Sequence, residues 1–185
     1  MTQIAGPVIE TERLILRPPK VEDYEPWAAS MTDEEVMRFV GGVKSKPLAW
    51  RAIATICGSW VLRGFGMFSV LEKESGSWIG YSGPWMPEGW PGTEVGWIYT
   101  RAAWGKGYAT EAATAAIDWA FDELGWSEVI HCINPENVKS SAVARRLGSK
   151  RLRSEKLPAP LDEIANDIYG QTRDEWRARA RIQAP

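Results

Sequence analysis

The chain has 185 residues, of which 44% are hydrophobic and 25% are charged, and this composition is typical of one globular domain. Its formal net charge of −2 argues against a protein that binds nucleic acid through bulk electrostatics. No apolar run is long enough to span a membrane, and residues 1–14 lack the charged and apolar regions of a signal peptide. We therefore expect a cytoplasmic protein with no membrane partner.

The first half of the chain predicts one strand, three helices and a β-hairpin. The strand covers 13–17, and the helices cover 21–31, 32–40 and 46–63. Two further strands at 66–73 and 77–83 flank a short turn around Gly76, which is a hairpin signal. Residues 84–92 contain three prolines and two glycines and predict a loop.

The second half alternates strands with helices. Strands are predicted at 93–100, 128–133, 149–157 and 167–172. A helix at 108–124 carries its apolar residues on one face and ends at Gly125, and a second helix runs from the N-cap Asn137 to Leu147. No linker divides the chain, so we expect a single α/β domain over 1–185 whose core covers about 8–176.

Residues 102–112, AAWGKGYATEA, place two glycines around Lys106 directly before the helix at 108–124. Such a segment is either a tight turn, in which glycine supplies a positive φ, or an anion site formed by the N–H groups at the helix start. A Walker loop does not fit, because Gly107 rather than Ser or Thr follows Lys106. A dinucleotide fingerprint fits no better, because it needs G-x-G-x-x-G early in a βαβ unit.

Five segments, in order, resemble the GNAT acetyltransferases, and in particular the branch of the ribosomal-protein N-terminal (alanine) acetyltransferases. They are TERLILRP (11–18), VMRFVGG (36–42), EVGWIYTRAAWGKGYATEA (94–112), NPENVKSSAVARRLG (134–148) and IYGQTRDEW (168–176), the last resembling the closing strand. The resemblance implies a GNAT-type α/β (α+β) fold, with a mixed, mostly antiparallel sheet flanked by helices. Its fourth and fifth strands, here 93–100 and 128–133, are expected to splay apart.

The resemblance also implies acetyl-CoA as co-substrate, with no metal ion. Backbone groups of Ile98, Tyr99 and Thr100 would bind the pantetheine. The pyrophosphate would bind on the loop formed by Trp104, Gly105, Lys106, Gly107, Tyr108, Ala109 and Thr110. Asn137 and Ser140 match the family's Asn and Ser positions beside the pantetheine and the sulfur. Trp104 stands where the general family motif has Gln or Arg, although this branch commonly carries tryptophan there.

The implied reaction is direct attack of a primary amine on the acetyl thioester in a ternary complex. The candidate groups are the Tyr99 amide for the oxyanion and Ser140 as proton donor to the thiolate, because Ala144 stands where many relatives carry tyrosine. Glu94 is the candidate base, the alternative being a surface carboxylate without a catalytic role. His131 has a pKa suited to a base, but a histidine on a strand is more often a packing residue.

The acceptor is left open by the sequence. Trp85 and Trp90, in the loop before the fourth strand, would form either an aromatic wall for an amine, with Glu88 or Glu94 as its ionic partner, or a contact in a homodimer. The acceptor would be a peptide N-terminus, a polyamine or another small amine. Two alternatives to an acetyltransferase are a non-catalytic acyl-CoA sensor and a transferase of longer acyl chains.

Overall fold

The computed structural model describes residues 4–183, which form a mixed eight-stranded sheet and six α-helices. The strands are β1 (Ile9–Glu10), β2 (Leu14–Arg17), β3 (Phe68–Glu72), β4 (Trp78–Trp85), β5 (Glu94–Tyr99), β6 (Glu128–Ile133), β7 (Lys150–Lys156) and β8 (Ala165–Thr172). The helices are α1 (Tyr24–Met31), α2 (Glu34–Met37), α3 (Lys46–Arg63), α4 (Tyr108–Asp122), α5 (Val138–Arg146) and α6 (Arg173–Gln183). Short 3₁₀ turns occupy Val21–Asp23 and Arg101–Ala103.

The sheet has the order β1-β2-β3-β4-β5-β6-β8-β7, and β5–β6 is the one parallel pair among the described strands. That pair has a single register position, Glu94 opposite Ile130, whereas the antiparallel pair β4–β5 is matched along the whole of β5. The prediction of a mostly antiparallel sheet with two splayed strands is therefore confirmed. The splayed pair comprises β5 and β6 because the two-residue strand β1, which the sequence did not predict, precedes them.

Helix α4 lies across one face of the sheet on a stripe of mostly small residues. Its fully buried positions are Ala112, Ala113, Ala116, Ile117 and Ala120. The alanines allow the helix to approach the strands closely, and Val95 of β5 belongs to the same core cluster. On the opposite face, Trp27 of α1 stacks on Tyr81 of β4 with ring centroids 4.1 Å apart. Helices α4 and α1 thus pack on opposite faces of the sheet.

The last predicted strand, 167–172, ends at the same residue as β8, and a helix that the sequence did not predict follows it. The segment 168–176 was expected to continue the family's closing strand, but β8 ends at Thr172 and α6 begins at Arg173. The cause is a capping box: the Glu175 N–H donates to Thr172 Oγ1 (3.2 Å), and the Thr172 N–H donates to the Glu175 carboxylate (3.0 Å). This T-x-x-E spacing was present in the sequence.

The other differences lie at element boundaries. The helix predicted at 21–31 opens with a 3₁₀ turn, and the helix predicted at 32–40 is reduced to Glu34–Met37. The loop predicted at 84–92 begins two residues later, because Pro84 and Trp85 pair with β5. No helix in the described part of the chain is long and apolar enough to cross a bilayer.

Candidate active site

The glycine-rich loop ends in a helix start whose first N–H groups point outward. Gly107 is the N-cap of α4 at φ 84°, a left-handed conformation that favours glycine, and it has no side chain to cap the helix. The Glu111 N–H donates to the Gly107 carbonyl (3.1 Å). The N–H groups of Tyr108, Ala109 and Thr110 therefore precede the helical ladder and have no carbonyl in it to bind. This arrangement fits an anion.

Beside this loop, the parallel ladder between β5 and β6 is interrupted. The Ile130 N–H donates to the Thr93 carbonyl (2.9 Å), and a regular parallel ladder would next join the Cys132 N–H to the Val95 carbonyl. Instead, Cys132 N–H donates to Glu94 Oε1 (2.9 Å), and Val95 O bonds to His131 Nδ1 (2.7 Å). Hydrogen bonds from two side chains thus replace one backbone hydrogen bond of the ladder, and the strands diverge beyond this point.

His131 is a neutral structural group. A carbonyl can only accept, so Nδ1 carries the proton, and Nε2 accepts from the Ser149 hydroxyl at 3.0 Å. Gln171 in turn donates to Ser149 Oγ at 2.9 Å. Burial lowers the pKa of His131 to about 4, with the bond to Val95 opposing the shift. The packing interpretation of His131 is therefore supported over a role as base.

The gap between the strands is bordered by particular backbone groups of β5. The Thr100 N–H donates to the Ile79 carbonyl (3.0 Å), and Ile98 lies opposite Tyr81. Because alternate residues of an antiparallel pair face the partner strand, the amides of Ile98 and Thr100 face β4. Those of Trp97 and Tyr99 then face the gap. Of the three backbone positions predicted to bind pantetheine, only Tyr99 meets this condition, and the amides of Ile98 and Thr100 do not.

Sequence reasoning missed Trp97 as a gap-facing backbone position. The signal that could have found it is the two-residue alternation along β5, which gives Trp97 and Tyr99 the same orientation. The Tyr99 carbonyl also faces this side, where it accepts a hydrogen bond from Trp104 Nε1 (2.8 Å). The Tyr99 phenol is buried in the core, and burial raises its pKa. The backbone of Tyr99, not its ring, borders the gap.

Glu94 is buried, so its interpretation as a surface carboxylate is wrong. Only 6% of the residue is exposed, and its Oε2 accepts a hydrogen bond from Trp90 Nε1 at 2.5 Å. Burial raises the pKa of Glu94 to about 7, although the bonds from Cys132 and Trp90 oppose this shift. Trp85 lies directly opposite Glu94 on β4. The structure therefore brings together the three residues that were predicted to bind the acceptor.

Ser140 lies on the other face of the sheet. Asn137 caps α5, and its Oδ1 accepts from the Ser140 N–H (3.1 Å). Ser140 Oγ accepts from the indole N–H of Trp97 (3.3 Å), which leaves its own proton to be donated. Because side chains alternate along a strand, Trp97 and Glu94 project from opposite faces of β5. The gap thus has a carboxylate on one face and a hydroxyl on the other.

The rim between α4 and α5 is formed by the loop and by the first turn of α5. The Lys139 ammonium lies 4.3 Å from the centre of a Trp104 ring, so the two elements are joined by a cation–π contact. Ala144, one turn further along α5, is fully buried in a cluster with Ile133 and Tyr169. The position that carries tyrosine in many relatives is therefore a packing position here.

Comparison with known proteins agrees with this fold. A family model described as an acetyltransferase (GNAT) domain matches residues 13–150, so the chain belongs to the GNAT acetyltransferases. The crystal structure of an acetyltransferase from Agrobacterium tumefaciens is similar, with 31% identity and a TM-score of 0.80 over 94% of this chain and 98% of that one. As a member of this family, the protein is an acetyltransferase.

Ribosomal-protein acetyltransferases are among the structural neighbours, as the sequence resemblance predicted. The ribosomal-protein-S5-alanine acetyltransferase of Vibrio fischeri is 18% identical, with a TM-score of 0.70 over 92% of this chain and 99% of that one. RimJ of Mycobacterium smegmatis, solved in complex with CoA-disulfide, is also 18% identical, with a TM-score of 0.70 over 88% and 83% of the two chains. At this identity the likeness shows the fold alone.

Proposed function

We propose that the protein transfers the acetyl group of acetyl-CoA to a primary amine by direct attack in a ternary complex. The observation that carries the proposal is the gap between β5 and β6. On one face it has the buried carboxylate of Glu94, and on the other it has the Ser140 hydroxyl. The outward N–H groups at the start of α4 lie at the same end of β5 as Tyr99. An amine beside Glu94 and the thioester sulfur beside Ser140 would therefore lie on opposite faces of the same gap.

The coenzyme fits the backbone of the loop. The N–H groups from Gly105 to Thr110, including those before the α4 ladder, would bind the pyrophosphate, and the positive helix end favours its charge. The pantetheine would then follow the exposed edge of β5 past Tyr99. The CoA-disulfide bound to the neighbouring M. smegmatis RimJ supports the assignment of coenzyme A to this fold. Asn137 and Ser140 would flank the end of the pantetheine.

Glu94 is the proposed base. An amine reaches the enzyme largely as an ammonium ion and must lose a proton before its lone pair can attack the thioester carbon. A carboxylate with a pKa of about 7 is ionised in an appreciable fraction at neutral pH and is basic enough to accept that proton. Trp90 holds this carboxylate from one side, and Trp85 lies opposite it on β4. Their rings would also attract the incoming ammonium.

The oxyanion position is better matched by the Trp97 amide than by the Tyr99 amide. Both N–H groups face the gap, but along a strand Trp97 is about 10 Å and Tyr99 about 17 Å from Glu94. The base and the oxyanion donor act on one reacting carbon, so the nearer amide is the better candidate. We assign the Trp97 amide to the oxyanion and the Tyr99 amide to the pantetheine, in place of the role predicted for Tyr99 from sequence.

When the tetrahedral centre collapses, the C–S bond breaks and its electron pair goes to sulfur. Ser140 would give its proton to the departing thiolate, directly or through water, while the Trp97 indole keeps Oγ in place. The acceptor itself is a primary amine, either a protein N-terminus or a small molecule. The neighbouring S5-alanine enzyme of V. fischeri acts on a ribosomal protein by its name, which supports testing peptide N-termini first.

The coenzyme assignment predicts that Gly107→Glu weakens CoA binding by about tenfold or more, because a side chain and a negative charge enter the phosphate site. Isothermal titration calorimetry with CoA measures the effect. Gly125→Glu is the matched control: Gly125 also has a positive φ (67°) with open space around it, but it follows the other end of α4. Undiminished CoA affinity in Gly107→Glu would place the coenzyme elsewhere.

The assignment of Glu94 predicts that kcat/KM rises with pH through about 7, since only the ionised carboxylate accepts a proton. Glu94→Gln should lose this limb and about 10²-fold or more in kcat/KM. The amine titrates as well, so the profile is measured with an α-amine of pKa about 8 and a lysine-type amine of pKa about 10.4. The rise in kcat/KM that is due to Glu94 should stay at the same pH with both amines, whereas the rise that is due to the amine should move with the pKa of the amine.

Trp90→Phe provides the matched variant for this test. It removes the N–H that donates to Glu94 Oε2, so the carboxylate loses a stabilising bond and the limb should move to higher pH. A wild-type profile that follows the pKa of the amine alone, or a fully active Glu94→Gln enzyme, contradicts Glu94 as the base.

The assignment of Ser140 predicts that Ser140→Ala lowers kcat and kcat/KM together by about 10²-fold, while the Kd of CoA stays within about twofold. Thiol release from acetyl-CoA is followed with a good acceptor. Ser141→Ala is the control, because Ser141 donates to the Val138 carbonyl on its own helix. An unchanged kcat removes Ser140 from the mechanism, and tight CoA binding without thiol release from any amine or peptide favours an acyl-CoA sensor.

A further inference from the structure

We infer that Arg13 is a positioning residue that sets the phosphate-binding geometry of the loop before α4, an inference that rests on the coenzyme site proposed above. Arg13 lies just before β2, 93 residues before Lys106 of the loop. Its Nη1 donates to the Lys106 carbonyl (2.9 Å), and its Nε donates to Glu111 Oε2 (2.7 Å). One guanidinium thus joins the loop to the first turn of the helix.

The bond to Lys106 fixes the direction of the following amide. Lys106 and Gly107 share one planar peptide unit, and in a trans peptide the carbonyl and the N–H point to opposite sides. Because Arg13 holds the carbonyl, the Gly107 N–H is directed away from Arg13. The loop is close to Arg13 here: a Cβ on Gly107 would lie 3.4 Å from Nη2. The amide of Gly107 is thereby aligned for an anion.

The bond to Glu111 removes a competing charge. Glu111 lies in the first turn of α4, where a carboxylate is attracted by the same N–H groups that would bind phosphate. Both its oxygens are held elsewhere: Oε1 accepts from Thr11 Oγ1 (2.6 Å) and from the Arg13 N–H (2.9 Å), and Oε2 lies 2.6 Å from Arg13 Nη2. The negative charge of Glu111 is therefore compensated by Arg13, and the N–H groups at the start of the helix remain available for an incoming anion.

Arg13 is poorly suited to a purely stabilising role. Its side chain is 44% exposed, and ion pairs in such positions contribute little to folding. Four residues further along, Arg17 pairs with Asp23 with side-chain exposures of only 13% and 4%, away from the loop. Residues 13–17 thus carry two ion pairs, a largely buried one away from the loop and a partly exposed one that contacts the loop. The Arg13 fork also lies over the ring of Tyr108, 4.7 Å from its centre.

The test compares CoA with pantetheine, which lacks the phosphates, by isothermal titration calorimetry on the wild-type chain, Arg13→Lys and Arg17→Lys. Lysine keeps the charge but cannot hold Glu111 and the Lys106 carbonyl with one planar fork. We expect the Kd of CoA to rise about tenfold in Arg13→Lys, with the Kd of pantetheine changed less than about twofold. Arg17→Lys should leave both constants unchanged. Arg13→Gln gives the same comparison should Arg13→Lys fail to fold.

The possible results distinguish a failure of the role inferred for Arg13 from a failure of the proposed coenzyme site. Wild-type CoA affinity in Arg13→Lys, alongside lost affinity in Gly107→Glu, overturns the role of Arg13 and leaves the coenzyme site standing. If Arg13→Lys weakens the binding of CoA and of pantetheine equally and lowers the melting temperature as Arg17→Lys does, Arg13 only stabilises the fold, and the inference is also overturned. CoA binding no tighter than that of pantetheine in the wild-type chain overturns the coenzyme site itself.

Discussion

Between β5 and β6 the hydrogen-bond ladder ends at Ile130, because side chains take the two groups that would form the next bond. Glu94 accepts from the Cys132 N–H, and His131 donates to the Val95 carbonyl. A buried backbone group left without a partner costs about 1–3 kcal/mol, so strands do not separate inside a sheet unless other groups satisfy them. These two side chains supply the replacement bonds, and the open edge of β5 beyond them depends on that substitution.

The same substitution gives Glu94 its chemical character. To reach Cys132 the carboxylate must lie inside the sheet, where burial raises its pKa to about 7. The group that separates the strands is therefore also a group able to exchange a proton at neutral pH. His131 shows the opposite result of burial, because its pKa falls to about 4 and it keeps one tautomer as a fixed donor. One residue of the pair can therefore change its protonation near neutral pH, whereas the other stays neutral.

Local signals in the sequence predicted those parts of the site that depend on neighbours in the chain. The glycines before α4 and the Asn137-x-x-Ser140 spacing each describe a helix start, and both starts occur where expected. The T-x-x-E spacing that begins α6 is equally local, and it was passed over because the resemblance extended the closing strand. By contrast, the burial of Glu94 depends on Cys132, a partner 38 residues away, which no local pattern specifies.

The direction of the backbone N–H and C=O groups was the other feature of the site that the sequence did not predict. The family resemblance placed three consecutive residues, Ile98 to Thr100, at the pantetheine, although a strand offers only alternate amides to one side. The register with β4 decides which ones, through the bond from Thr100 to Ile79, and it favours Trp97 and Tyr99. The contacts of Arg13 with Lys106 and Glu111 are likewise long-range in the chain and became visible only in the folded structure.

The central claim is that the Trp97 and Tyr99 amides form the open edge on which the coenzyme lies. Amide hydrogen exchange, resolved by residue with and without saturating CoA, tests it most directly. We expect CoA to slow exchange at Trp97 and Tyr99 by about tenfold or more, whereas Ile98 and Thr100, which face β4, exchange slowly in both states. Exchange at Trp97 and Tyr99 that is unaffected by CoA, or protection that appears at Ile98 and Thr100 instead, would contradict it.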